Sequence, residues 1–344
     1  MNKQTILTGI RSNNDLQIGN YFGALLPLIE MAKKHSEKYY INLMMADLHS
    51  FNVPIDYSAL KDQIQNNLRI YVAAGLPLDI DDVRIFRQSH VPAHSELAYI
   101  LSCFTGMGEL SRMTEYKDKS AKIGDERVSA GLFNYPPLMA ADILLYNTTL
   151  VPVGDDQRQH LEYTRTIAER INAKFDDNSI LIVPLTMQKQ HEFFGKEQSL
   201  RIKDLQTSTK KMSKSDESGK GVIFLGDDPE LAAKKVMSAT TDSVGVINYD
   251  TEHQPGISNL LQLLALISGK TLQEAVAQYQ GQTQYGPLKK DLAERIKIFL
   301  NDFQSRLASV DQKQLDAKLE SSEAQMNSTA NETLLRVQKA IGLR

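Results

Sequence analysis

Apolar and polar positions alternate along the first half of the chain in a way that separates short strands from amphipathic helices. Residues 5–10 (TILTGI) form an apolar strand, the polar run RSNNDLQ follows, and IGNYFGALLPLIEMAKKH then carries apolar residues at helical spacing. A second strand, YYINLMM, ends in Ala46-Asp47-Leu48-His49. A helix is predicted over about Tyr57 to Ala74, with Gly75 placed to cap it before a third strand, Val83 to Phe86. From about His94 to Ile171 the pattern is helical, interrupted by a strand at Thr149 to Val153. Ile180 to Pro184 and GVIFL (221–225) read as further strands, and nearly everything from Pro229 onward reads as helix, with the polar stretch Glu320 to Glu332 as a loop.

Strands alternating with helices predict a parallel sheet whose ligands sit beyond the carboxyl ends of its strands. The expected architecture is α/β: a Rossmann-like catalytic domain over residues 1–220, with a helical insertion at roughly 94–171, and a C-terminal α-helical domain over 221–344. A chain of 344 residues with 42% apolar composition builds more than one packed core, which excludes a peptide hormone, a disordered tail or a single small module. No apolar run approaches the ~18 residues that cross a bilayer, and the amino terminus lacks the pattern of an export signal. A cytoplasmic protein is expected. One cysteine, Cys103, excludes a disulfide framework or a thiolate zinc site within the chain, and is expected to be a buried or half-buried thiol.

Lys and Arg number 39 against 42 Asp and Glu, a formal charge of −3, so any polyanion has to meet a local basic patch. Residues 201–220 supply one. Arg201, Lys203, Lys210, Lys211, Lys214 and Lys220 stand against Asp204, Asp216 and Glu217, a local +3 centred on Lys211-Met212-Ser213-Lys214-Ser215. A generic lysine cluster is a solvated loop; two lysines three apart among small residues are also suited to close on a polyphosphate.

Three more segments bear on chemistry. At Gln17-Ile18-Gly19-Asn20 a helix begins, offering unpaired amides to a phosphate, and Gly19 lets a flat group approach the backbone; a structural glycine in a first turn is the commoner case. In YPPLMAADILLYN, Tyr135, Met139, Asp142 and Tyr146 are spaced to share one helical face, with a proline at the helix start. Asp142 lies among apolar neighbours and needs a donor. One reading is a pocket for a large flat hydrophobe with a single N–H, such as indole; the other is a core stripe in which Asp142 bonds a neighbouring segment. Gly154-Asp155-Asp156-Gln157 end a strand and open a helix, where carboxylates either cap the helix or hold ribose hydroxyls. Asp47 and His49 occupy the equivalent end of strand two and are more often structural there.

Together these segments resemble the class I aminoacyl-tRNA synthetases, and within them the bacterial-type tryptophanyl-tRNA synthetases. The resemblance runs over nearly the whole chain: QIGN at the HIGH-type signature, VPAHSELAYIL, GELSRMTEYKDKSAK, SAGLFNYPPLMAADILLYNT, VPVGDDQRQH, KMSKS, SATTDS and PGISNLL. It implies that tryptophan attacks the α-phosphate of ATP, accompanied by Mg²⁺, and that the acyl group then passes to the 3′ end of its tRNA. It further implies that Arg11, Ser12, Asn13, Gly19 and Asn20 line the ATP site together with Gly154, Asp155, Asp156 and Ile202. Lys211, Met212, Ser213, Lys214 and Ser215 would act on the leaving pyrophosphate, with Gln17, Asn20 and Lys119 in catalytic roles. Asp142 would read the indole N–H, Met139, Val151, Val153, Leu7 and Gly9 would wall the ring, and Gln157 and Tyr135 would hold the α-amino group. A homodimer through the inserted helices and an anticodon-binding role for the C-terminal helices also follow from the resemblance. Residues 281–344 carry ten basic and eight acidic residues, only a mild bias. Arg11-Ser12-Asn13-Asn14 replaces the usual Gln-Pro-Ser-Gly, which motivates a second reading: a catalytically weakened paralogue that binds tryptophan or tRNA.

Overall fold

The computed structural model describes residues 3–10, 15–52, 54–123, 128–154, 157–195, 202–212 and 219–344; the side chains of 122 and 123 are left aside. Four parallel strands, β1 (Gln4–Ile10), β2 (Tyr39–Met45), β3 (Val83–Arg87) and β4 (Thr148–Leu150), form one sheet in the order β3-β2-β1-β4. Ile6 pairs with Ile41 and Ile41 with Val83; two residues on, Leu43 lies beside Thr8 and Ile85, and Met44, the next residue, beside Gly9 and Phe86. Ile6, Ile41, Leu43, Val83 and Ile85 therefore face one apolar core, and Leu7, Met44 and Phe86 face another. Burial on both faces is why these strands read as nearly continuous apolar runs.

The first core holds the helix that follows β1. This helix, α1, is α-helical at Ile18–Asn20, π-helical at Tyr21–Leu25 and α-helical again at Leu26–His35. The widened turn lies just ahead of Pro27, whose ring has no N–H to give the preceding turn. Helix α2 (Leu60–Ala73) lies on the same face, and Gly75 turns the chain at φ +103, a conformation open to glycine. The second core holds α3 (Ala93–Cys103), α4 (Thr114–Ile123), α5 (Tyr135–Leu144) and α6 (Arg158–Lys174) around the sheet, with α7 (Met187–Phe194) after them.

From Pro229 the chain is helical: α8 (Pro229–Met237), α9 (Pro255–Ile267), α10 (Leu272–Tyr279), α11 (Gly286–Ala308) and α12 (Gln312–Ala340). Helix α11 reaches back to α1, with Phe299 and Phe303 edge-on to Tyr21 at 5.2 and 5.5 Å. Helix α12 serves both cores, Leu315 and Leu319 in the first and Met326, Ala330, Leu334 and Val337 in the second. It is fastened to the end of β3 by Arg87, whose guanidinium donates to both carboxylate oxygens of Glu323 at 2.6 and 2.9 Å.

Four expectations are corrected. Glu320 to Glu332 is continuous helix within α12, because the polar residues cover its solvent side while Met326 and Ala330 stay buried. Ile180 to Pro184 forms no ladder; the side chain of Asn172 takes both backbone groups of Leu181, accepting at 3.0 Å and donating at 2.8 Å. GVIFL joins no sheet either: Ile18 donates to Ile223 O at 2.9 Å and Leu225 to Leu16 O at 3.0 Å, which fastens this segment to the start of α1. Cys103 is exposed. Among the described residues no helix is long and apolar enough to cross a membrane.

A Cβ at Gly256, in the first turn of α9, would lie 2.4 Å from the backbone oxygen of Thr240, whereas one at Gly286 would meet nothing within 4 Å. Gly256→Ala is expected to lower stability by about 1 to 3 kcal/mol and Gly286→Ala not to lower it, as read from urea unfolding midpoints.

Candidate active site

The carboxyl ends of β1 and β2, the segment after β4 and one face of α5 enclose a cavity of about 440 Å³. Its wall contains Leu7, Gly9, Met44, Met139, Ile143, Val151 and Val153 on the apolar side, and His49, Glu115, Lys119, Tyr135, Asp142 and Gln157 on the polar side. Gly9 is where glycine matters: a Cβ there would come within 3.2 Å of Met44 Cε. The eight residues assigned to the amino-acid side, Asp142, Met139, Tyr135, Gln157, Val151, Val153, Leu7 and Gly9, all line this one space, as does Lys119.

Asp142 is buried, 2% exposed. Its Oδ1 accepts from Gln88 Nε2 at 2.7 Å and pairs with His94 Nδ1 at 2.6 Å; its Oδ2 pairs with His49 Nε2 at 2.9 Å. Gln88 is oriented by Leu48 N, which donates to its Oε1 at 3.1 Å. On the far side of the His49 ring, Asn52 Nδ2 lies 3.2 Å from Nδ1. His94 is completed on its far side by Tyr146 Oη at 2.6 Å. Burial alone would push the Asp142 carboxyl up, but the hydrogen bonds and charge of His49 and His94 outweigh it and hold the group down at about 2. A carboxylate offers about four acceptor positions. Three are used, so among the described residues one position, on Oδ2, is left beside the cavity. Asp142 thus bonds neighbouring segments, as the core-stripe reading expects, and it also lines a cavity.

At the other end, Tyr135 Oη makes a short hydrogen bond to His160 Nε2, and Lys119 Nζ lies 5.0 Å from the centroid of the Tyr135 ring. Lys119 is paired with Glu115 at 2.6 Å. Asp47 is structural, accepting from Ser89 N at 2.9 Å and Ser89 Oγ at 2.5 Å.

Gln17 caps α1: its Oε1 accepts from Gly19 N at 2.7 Å, and its Nε2 donates to Met212 O at 2.9 Å. Met212 is thereby tied to the helix start, and its N donates to Ile202 O at 3.0 Å. The expectation of unpaired amides here is corrected, since Ile18, Gly19 and Asn20 donate to Ile223 O, Gln17 Oε1 and Gln17 O. A Cβ on Gly19 would lie 2.8 Å from Gln17 Oε1 and 3.3 Å from Ile202 Cβ, so this surface is bare backbone by necessity. Asn20 is half-buried, Lys211 and Gly154 are exposed, and Met212 and Ile202 are buried. Arg11, Ser12, Asn13, Asp155, Asp156, Ser213, Lys214 and Ser215 lie outside the described residues.

A family model described as tRNA synthetases class I (W and Y) matches residues 1–301. The chain belongs to the class I tRNA synthetases. The Enterococcus faecalis tryptophan-tRNA ligase is 44% identical to this synthetase over 99% of the chain and 98% of its own length. Among solved structures, the tryptophanyl-tRNA synthetase of Mycoplasma pneumoniae is 34% identical, with a TM-score of 0.82 over 99% of this chain and 98% of that one. The Campylobacter jejuni tryptophanyl-tRNA synthetase, crystallised with ADP and tryptophan, is 30% identical, with a TM-score of 0.78 over 99% of this chain and 100% of its own.

Sequence reasoning missed Gln88, His94 and Glu115 in the synthetase site. Gln88 had a signal, its place immediately after β3, where the strand-end rule already pointed. His94 and Glu115 had none of their own; each is one polar residue on a helix until the fold turns it inward.

An acid held below its ordinary range stabilises the fold above the unfolded-state value and loses that contribution as pH falls through the folded one. The stability difference between wild type and Asp142→Asn is therefore expected to be constant above pH ~4 and to shrink toward pH ~2, measured by urea midpoints across a pH series.

Proposed function

We infer that this synthetase is an enzyme that joins L-tryptophan to tRNA. The carboxylate of tryptophan attacks the α-phosphate of ATP, forming tryptophanyl-AMP and releasing pyrophosphate, and the acyl group then passes to the 3′-terminal ribose of the tRNA. The observation that carries the reading is ionised Asp142, with an acceptor position to spare, in the wall of a cavity of about 440 Å³ that is apolar on one side. The indole nitrogen only donates, and a buried acceptor without a donor loses about 1 to 3 kcal/mol. In this reading Oδ2 takes the indole N–H, Met139, Val151, Val153, Leu7 and Gly9 flank the ring, and Tyr135 and Gln157 face the amino-acid end.

ATP is placed on the neighbouring surface formed by Gly19, Asn20 and Ile202, continuing to Gly154, Asp155 and Asp156 on the ribose side and to Arg11, Ser12 and Asn13 on the loop before α1. The bare backbone at Gly19 suits a flat base. With the first-turn amides already bonded, charge on the phosphates falls to Lys211 and Lys214, with Lys119 from the cavity wall, while Ser213 and Ser215 add hydroxyl donors and buried Met212 anchors the segment through its backbone. Gln17 then acts by positioning, through its bond to Met212 O. Mg²⁺ enters as part of the nucleotide substrate; among the described residues no group of three or more His, Cys, Asp or Glu is arranged to hold a metal. No side chain has to serve as nucleophile, since orientation and electrostatics carry the rate.

The names of the relatives support tRNA as the acceptor; in this reading the helices of 221–344 serve as the anticodon-binding part and 1–220 as the catalytic part. A homodimer through the helical region 94–171 is supported by Tyr99 and Met107, each 72% exposed there. A reducing cytoplasm suits a chain with a single thiol.

The chain contains no tryptophan, so indole fluorescence in a titration comes from the ligand alone. Tryptophan-dependent exchange of pyrophosphate into ATP is expected, and Asp142→Ala is expected to weaken tryptophan binding by roughly tenfold or more. Folded protein that binds no tryptophan and gives no exchange, or an unchanged affinity in Asp142→Ala, defeats the reading.

A further inference from the structure

Near Tyr135 the cavity wall carries an ion pair that the packing of its helix does not require. Glu115 and Lys119 stand one turn apart on α4, with Oε2 and Nζ 2.6 Å apart, and both of these atoms are out of contact with solvent. Exposed pairs of this spacing contribute little and can sit anywhere on a helix; this one faces a concave space it shares with Asp142, Tyr135 and Gln157. Of the two carboxylates in the described wall, Asp142 is committed to three donors, and the Tyr135 hydroxyl is engaged by His160. Glu115 is the carboxylate paired with a lysine, one turn along the same helix.

We propose that Glu115 determines specificity for the free amino acid by taking its α-ammonium group, in exchange for Lys119, which turns to an anionic group of the substrates. The inference rests on the reading of the cavity as the tryptophan site. A buried carboxylate stripped of its cation is strongly unfavourable, so Lys119 leaves cheaply only when another cation arrives, and the ammonium is the cation the amino acid brings. The exchange is charge-balanced: one ion pair opens and two form, Glu115 with the ammonium and Lys119 with a carboxylate or phosphate oxygen. It also couples the two substrates, because tryptophan frees the lysine that the nucleotide end uses.

The test compares L-tryptophan with indole-3-propionate, which keeps the ring and carboxylate but lacks the ammonium, by ligand fluorescence on wild type and Glu115→Gln. The expected result is a loss of tryptophan affinity on the order of tenfold or more in the variant, with indole-3-propionate bound as in wild type or more tightly because Lys119 is released. Retained indole-3-propionate binding also shows that the variant is folded around an intact pocket. Unchanged tryptophan affinity, or a parallel loss of both ligands, overturns the proposal while wild-type binding of tryptophan still stands for the cavity. Wild type that binds neither ligand overturns the cavity reading and this inference with it.

Discussion

The site depends on keeping one carboxylate ionised in an apolar interior. Burial by itself would return Asp142 to its protonated form, and the protein prevents this with three donors drawn from three places: His49 after β2, Gln88 after β3 and His94 in α3. Each donor is itself held from behind, by Asn52, Leu48 N and Tyr146. To satisfy the acid, the face of α5 that carries it has to lie across the carboxyl ends of the strands. That same placement encloses the cavity against Leu7, Gly9 and Met44, so the geometry that solves the desolvation problem also shapes the pocket.

A second constraint runs through Gln17. Its amide group bonds in opposite directions, closing the start of α1 and gripping the backbone of Met212. In the reading proposed above, with the first-turn amides occupied, charge on the phosphates is met by lysine side chains rather than by backbone. A lysine can shift as charge moves toward the leaving group, whereas an amide fixed in a helix start cannot.

Where local pattern and tertiary packing agree, the chain could be read directly: strands β1 to β3 as apolar runs, Gly75 as a terminator, and Pro136 with Pro137 as the opening of α5. The shared face of Tyr135, Met139 and Asp142 was legible from spacing alone, because a helix fixes which residues lie together. Reading broke down where a partner distant in sequence decided the outcome. Ile180 to Pro184 has strand composition, yet Asn172 consumes the backbone groups of Leu181 that a ladder would need. Glu320 to Glu332 looks like a loop because its buried positions are few and small, and only the sheet beneath it shows that they suffice. Gln88 and His94 are separated from Asp142 by 54 and 48 residues, and nothing local in either signals the acid they serve.

Helix α12 gives this architecture a temporal asymmetry. Met326, Ala330, Leu334 and Val337 belong to the core that includes Phe86 together with Leu7 and Met44, two residues of the cavity wall. During synthesis on the ribosome the β1–β3 sheet and the helices α3, α5 and α6 on this face can pack early, but the share of the core supplied by α12 is added only once residue 337 has emerged. A chain that stops short of that point leaves apolar side chains of this core without the partners that α12 brings.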